Sequence, residues 1–155
     1  MNSVLEILID CDLVAQSVVG RSPALGGSLA VDILIAEDEP SILESLDFIL
    51  RRAGWTIGSV TDGDVVVETV RRLQPRMLML DVMLPKRSGF DVLKQIRADV
   101  DMHSLPVLIL TAKGQQQDRR IAEDLGADAF VTKPYSNAEV VSVVRGILGQ
   151  NAGQA

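Results

Sequence analysis

The chain has 155 residues, enough for one domain with a sizeable core and too few for two of ordinary size. It is 47% hydrophobic and 23% charged, and its net charge of -6 argues against a diffuse hold on nucleic-acid phosphates. One cysteine, Cys11, cannot close an internal disulfide, and one histidine, His103, cannot build a His-rich metal centre, so a single soluble cytoplasmic domain is expected.

No uninterrupted apolar run approaches the roughly 20 residues that span a bilayer, so no membrane insertion is expected. The opening stretch VLEILIDCDLVAQSVV places Leu5, Leu8, Ile9 and Leu13 at helical spacing. Glu6, Asp10 and Asp12 interrupt it and no basic residue precedes it, which argues against a signal peptide. GRSPALGGS reads as a hinge punctuated by Gly and Pro. Residues 1–30 are therefore expected to be a flexible or short helical extension, and 31–149 the compact domain.

From residue 31 the pattern repeats. VDILIA reads as a buried strand, and Pro40 opens a helix whose stripe is Ile42, Leu43, Leu46, Ile49 and Leu50. Gly54 ends that helix and a weaker strand, WTIGSV, follows. A second helix is expected from about Asp64 to Leu73, stopped by Gln-Pro. RMLMLDV is the third strand and FDVLKQIRA a short third helix. LPVLILT is the fourth strand, QQQDRRIAEDLG a polar fourth helix closed by Gly126, and AFVT a short fifth strand. SNAEVVSVVRGILG is a fifth helix opened by a Ser cap, and residues 150–155 are expected to form a frayed tail.

Five strands alternating with five helices, several of the strands continuously apolar, predict a parallel sheet covered on both faces, a doubly wound α/β fold. In such folds function sits at the carboxyl ends of the strands. Strand one ends in Glu37-Asp38-Glu39, strand three in Asp81, strand four in Thr111 and strand five in Thr132-Lys133-Pro134. Packing requires none of these groups. Crowded carboxylates need a cation or a raised pKa, and an all-oxygen set without His or Cys suits a hard divalent ion such as Mg2+. Glu37, Asp38 and Asp81 are the candidate ligands. Asp81 is the natural carboxylate nucleophile for an aspartyl-phosphate, with Lys133 and Thr111 placed to meet phosphoryl oxygens. Neither GxxxxGK[ST], GxGxxG nor G-x-S-x-G is present, so nucleotide-binding and hydrolase readings lack a motif.

The stretches ILIAEDEP, MLMLDVMLPKRSGFDVL, LPVLILTA and GADAFVTKPY resemble the receiver domain of bacterial two-component response regulators, of the single-domain chemotaxis-regulator type. The resemblance runs from about Asp32 to Gly149. It implies a five-stranded flavodoxin-like (βα)5 sheet of order 2-1-3-4-5. It implies Asp81 as the acceptor of a phosphoryl group from a phosphohistidine on a sensor histidine kinase or histidine phosphotransfer protein. Asp38 matches the direct magnesium ligand, Glu37 the acid that holds the ion through water, and Met83 the position that lends a backbone carbonyl. Lys133 matches the phosphate-pairing lysine and Pro134 the proline that often follows a cis bond. Thr111 and Phe130 match the coupled switch whose output is the face of helix four, strand five and helix five. Gly89 matches a tight backbone position before helix three. Met83 and Lys113 match the positions that tune hydrolysis, and neither carries a side chain suited to orient an attacking water, which implies a phosphorylated state of long or middling lifetime.

With six residues after Gly149, the expected form is a stand-alone regulator that signals to an unknown protein target, as a monomer or a weak phosphorylation-dependent dimer. The alternatives are a receiver excised from a larger DNA-binding transcriptional regulator and a degenerate receiver acting as a phosphorylation-independent binding module. The transcription class often carries an acid after GAD and an arginine after the lysine-proline segment. GADAF and PYSNAE lack both. A degenerate receiver is expected to lose Asp81, Lys133 or the acid pair, and all are present. A haloacid-dehalogenase-like phosphatase would need a D-x-D after strand one, which is missing.

Overall fold

Ile33–Ala36 forms β1, with all four residues buried. The computed structural model describes residues 30–112 and 116–152. After β1 come α1 (Pro40–Arg52), β2 (Ile57–Val60), a 3-10 turn (Gly63–Val65), α2 (Val66–Leu73) and β3 (Met77–Asp81). They are followed by α3 (Gly89–Ala98), β4 (Val107–Ala112), α4 (Gln116–Asp124), β5 (Ala129–Lys133) and α5 (Asn137–Ala152). The sheet is parallel throughout, in the order β2-β1-β3-β4-β5. The expected doubly wound α/β fold is therefore present.

Each strand turns successive side chains to opposite faces, and helices cover both. Ile33, Ile35, Met77, Met79, Leu108, Leu110 and Val131 face one layer, where Leu46 and Leu50 of α1 and Val140, Val144 and Leu148 of α5 close over them. Leu34, Leu78, Leu80, Val107 and Ile109 face the other, beneath α2, α3 and Ala122 of α4. The central strands read as unbroken apolar runs because both faces are dry.

Local signals place the helix ends. Pro40 occupies the first turn of α1, where its missing N–H costs nothing, and Arg51 and Arg52 complement the dipole at the other end. Ser88 caps α3 by accepting a bond from the Asp91 N–H, and Ser136 caps α5 in the same way for Glu139.

Two of the helix boundaries that differ from expectation have a local cause. The second helix begins as the 3-10 turn, because the Asp62 carboxylate accepts from the Asp64 N–H and tightens the entry. The fifth helix runs past Gly149 to Ala152, since a helical glycine costs only about 1 kcal/mol and Leu148 is buried beneath it. The leader 1–29, with Cys11, lies outside the described residues, as do Lys113 and residues 153–155.

Candidate functional site

Alternation along the strands sorts the rim. Glu37 continues the face of Ile33 and Ile35, Asp81 that of Met77 and Met79, and Lys133 that of Val131. All three therefore leave the sheet on the α1 and α5 side. Ala112 shares that side by register with Lys133 and adds only a methyl group. Thr111 falls on the opposite side, in line with Ile109, which is the layer that Phe130 packs against.

Glu37 is fully buried and Asp81 is 4% exposed, whereas Asp38 faces solvent. A carboxylate oxygen from each lies within 4.8 Å of the others. The Lys133 ammonium stands between two of them, donating to Glu37 Oε2 at 2.9 Å and to Asp81 Oδ2 at 3.1 Å. The remaining oxygens take backbone donors, Glu39 N–H on Glu37 Oε1 and Met83 N–H on Asp81 Oδ1, each at 3.1 Å. Among the described residues no buried side-chain polar atom lacks a partner.

Burial pushes the Glu37 carboxyl above the ordinary range. The Lys133 ammonium and the Glu39 N–H pull back against this, and the nearby Asp81 charge adds to the rise. Burial alone would lower Lys133, but its bonds to Glu37 and the charge of Asp81 outweigh this and raise it. Tyr135, half-buried beside them, is raised by burial and by the same carboxylates. The site thus holds more negative charge than one lysine neutralises. Its all-oxygen, partly solvent-facing donor set fits a hard divalent cation.

Gly89 lies where α3 begins. A Cβ there would run into the Asp81 carbonyl, with the Val82 Cα at 2.9 Å, so only glycine lets the helix start this close to β3. The Lys133–Pro134 peptide bond is cis. Met83 is 75% exposed, so its backbone rather than its side chain is tied to the site. The Thr111 hydroxyl is 1% exposed by residue and makes one long bond, 3.4 Å, to the Ala112 carbonyl. Phe130 is half-buried, with the Arg119 guanidinium 5.6 Å above its ring centroid.

Two features were not read from the sequence. Tyr135 borders an open cleft of about 510 Å³ beside Lys133, between Ser41, Ile42 and Ser45 of α1 and the start of α5. Its position two residues after Lys133 was the available signal. The Arg119 contact had none, because Arg119 reads as an ordinary charge on a polar helix.

A strand-end acid cluster bridged by one lysine, on a 2-1-3-4-5 parallel sheet, is the arrangement of a phosphoaccepting receiver. The family model of the response regulator receiver domain matches residues 33–145, and the chain belongs to that family. It is 41% identical over 116 residues to the sensory transduction protein RegX3 of Mycobacterium tuberculosis, covering 75% of this chain and 50% of that protein. It is 40% identical over 116 residues to the alkaline phosphatase synthesis transcriptional regulatory protein PhoP of Bacillus subtilis, covering 75% and 48%. The receiver domain of the sensor histidine kinase PA1611 of Pseudomonas aeruginosa was solved with a magnesium ion coordinated in its active-site cleft. It superposes with a TM-score of 0.71 at 28% identity, covering 77% of this chain and 98% of that one. The chain spans about half the length of the curated relatives it matches. Among the described residues no helix is long and apolar enough to cross a membrane.

Proposed function

We propose that this chain is the phosphoacceptor receiver of a two-component phosphorelay, with Asp81 as the acceptor. The observation that carries this is the Lys133 ammonium held between the carboxylates of Glu37 and Asp81 at the carboxyl rim of the sheet. Residues 31–149 are the receiver unit in this reading, and residues 1–30 an extension to it.

An oxygen of Asp81 bonds to phosphorus as the P–N bond of a phosphohistidine breaks. The electron pair returns to the ring nitrogen, so a donor ring protonated on its other nitrogen leaves as neutral histidine. The donor is a sensor histidine kinase or a histidine phosphotransfer protein. Lys133, already within reach of Asp81, takes one phosphoryl oxygen, and the Thr111 hydroxyl gives up its long bond to Ala112 for another. Asp38, Asp81, the Met83 carbonyl and Glu37 through water would hold a magnesium ion, which supplies charge neutralisation between the acids and the incoming phosphoryl group. Reorientation of Thr111 opens space on the layer that Phe130 packs against, and the face of α4, β5 and α5 carries the output.

The similarities favour a receiver of the transcriptional-regulator class over a stand-alone one, because PhoP matches at 40% identity across the receiver, outweighing the two missing charges. The chain's net charge of -6 argues against a diffuse hold on DNA, so in this reading control of transcription passes through contacts of the output face.

Phosphoramidate, a small P–N donor, tests the chemistry directly. With magnesium present the chain is expected to gain one phosphoryl group by intact mass and to lose it to hydroxylamine, as an acyl phosphate does. A chain that stays unmodified, or an adduct that resists hydroxylamine, would contradict the proposal.

A further inference from the structure

The loop after Asp81 is anchored as far as Met83, with the Val82 N–H donating to the Leu110 carbonyl, the Gly89 N–H to the Val82 carbonyl and the Met83 N–H to Asp81 Oδ1, while its outer limb is held from elsewhere. Val82 and Leu84 are buried on either side, but Met83 projects into solvent, and Pro85, Lys86 and Arg87 return over the surface to Ser88. Lys86 adopts a left-handed backbone, φ 68°, which a non-glycine residue holds only when its surroundings fix it.

Those surroundings are the turn after β2. The Gly63 N–H donates to the Pro85 carbonyl at 3.1 Å, and the Arg87 N–H donates to the same oxygen at 2.8 Å. A Cβ on Gly63 would collide with the Arg87 carbonyl oxygen and lie 2.8 Å from its carbon, so the two backbones touch without a side chain between them. Asp62 uses both carboxylate oxygens. Oδ1 accepts from the Asp64 N–H at 2.8 Å, and Oδ2 pairs with Lys86 Nζ at 2.6 Å. Arg87 adds a longer pair, 3.4 Å, to Asp64. None of these groups belongs to the acid cluster.

We propose that the turn Asp62–Asp64 is a positioning element for the divalent-cation site, fixing through Pro85, Lys86 and Arg87 the loop that presents the Met83 carbonyl. The inference rests on the metal reading given above. Gly63, Asp62 and Lys86 act as positioning residues: the ion's ligands are unchanged without them, but the ligand at Met83 is no longer held where the carboxylates need it. Supporting groups outside the ligand set commonly control metal affinity in this way.

Calorimetric titration of magnesium into the full chain separates the possibilities. Gly63→Ala is expected to weaken binding by about tenfold, the lower end for loss of such support. Its rate of modification by phosphoramidate returns to that of the unaltered chain once magnesium is saturating. Lys86→Met changes an exposed side chain and removes a positive charge. Electrostatics alone would tighten magnesium binding, whereas loss of positioning weakens it, by about twofold for a surface pair. Lys86→Met decides the matter even if Gly63→Ala fails to fold. Affinity unaltered in a folded Gly63→Ala chain, or equal or tighter in Lys86→Met, would overturn the inference while leaving the metal site intact. No magnesium heat from the unaltered chain would instead overturn the metal reading, and the inference with it.

Discussion

Lys133 reaches across the sheet to two acids, Glu37 and Asp81, that lie 96 and 52 residues earlier in the chain. This geometry gives Glu37 a definite pH signature. Its carboxyl is raised by burial, so between the ordinary glutamate range and its raised value the folded chain binds more protons than the unfolded one. The contribution of Glu37 to stability therefore falls as pH rises through that interval. In Glu37→Gln this slope disappears, and the metal-free variant gains on the parent as pH rises through it. Urea unfolding at a series of pH values with chelator present checks this. A parent whose advantage over Glu37→Gln grows with pH would contradict it. The acids and the lysine were legible because charge at the end of an apolar strand has no packing reason to be there. Two-residue alternation then separates Glu37, Asp81 and Lys133 from Thr111. The Arg119 contact on Phe130 was not legible, because it depends on how α4 settles against β5.

Among the elements, α3 links the site to the opposite end of the sheet. It starts against the Asp81 carbonyl at Gly89 and carries Arg97 in its last turn. The Arg97 guanidinium donates to the carbonyls of Gly126, Leu105 and His103 and pairs with Asp128 at 2.9 Å, while Asp128 also accepts from the Val107 N–H. One side chain thus joins α3 to the start of β4 and to the turn between α4 and β5. Arg97→Ala is expected to cost about 2–3 kcal/mol in urea unfolding, the scale of losing charged hydrogen bonds to partly buried carbonyls. Arg97→Lys recovers little of it, because an ammonium cannot span a fork of acceptors. A loss below 1 kcal/mol would contradict this role. Element types and order were legible from periodicity, Pro40, the Ser136 cap and Gly126. The 3-10 entry to α2 was not, since it follows from one carboxylate folding back on its own turn. The Arg97 junction was not either, because backbone carbonyls leave no trace in a residue pattern.

For the whole molecule, the net charge of -6 matters less than the placement of three of its acids on one rim. An ion that binds only the folded rim stabilises the fold, by about 2.7 kcal/mol at a hundredfold excess over its dissociation constant. Thermal unfolding is therefore expected to move up with magnesium and back with chelator, and Asp38→Ala is expected to blunt the shift. A melting temperature indifferent to magnesium would speak against a cation site there. Length told less than it promised. The chain spans about half the length of the curated relatives it matches, and those relatives include a transcriptional regulator.

The most direct measurement is tandem mass spectrometry of the chain after treatment with phosphoramidate and magnesium, locating the acyl phosphate by residue. One phosphoryl group on Asp81, absent from Asp81→Asn, is the expected result. Modification on Glu37 or Asp38 instead, or an Asp81→Asn chain modified to the same extent as the parent, would contradict it.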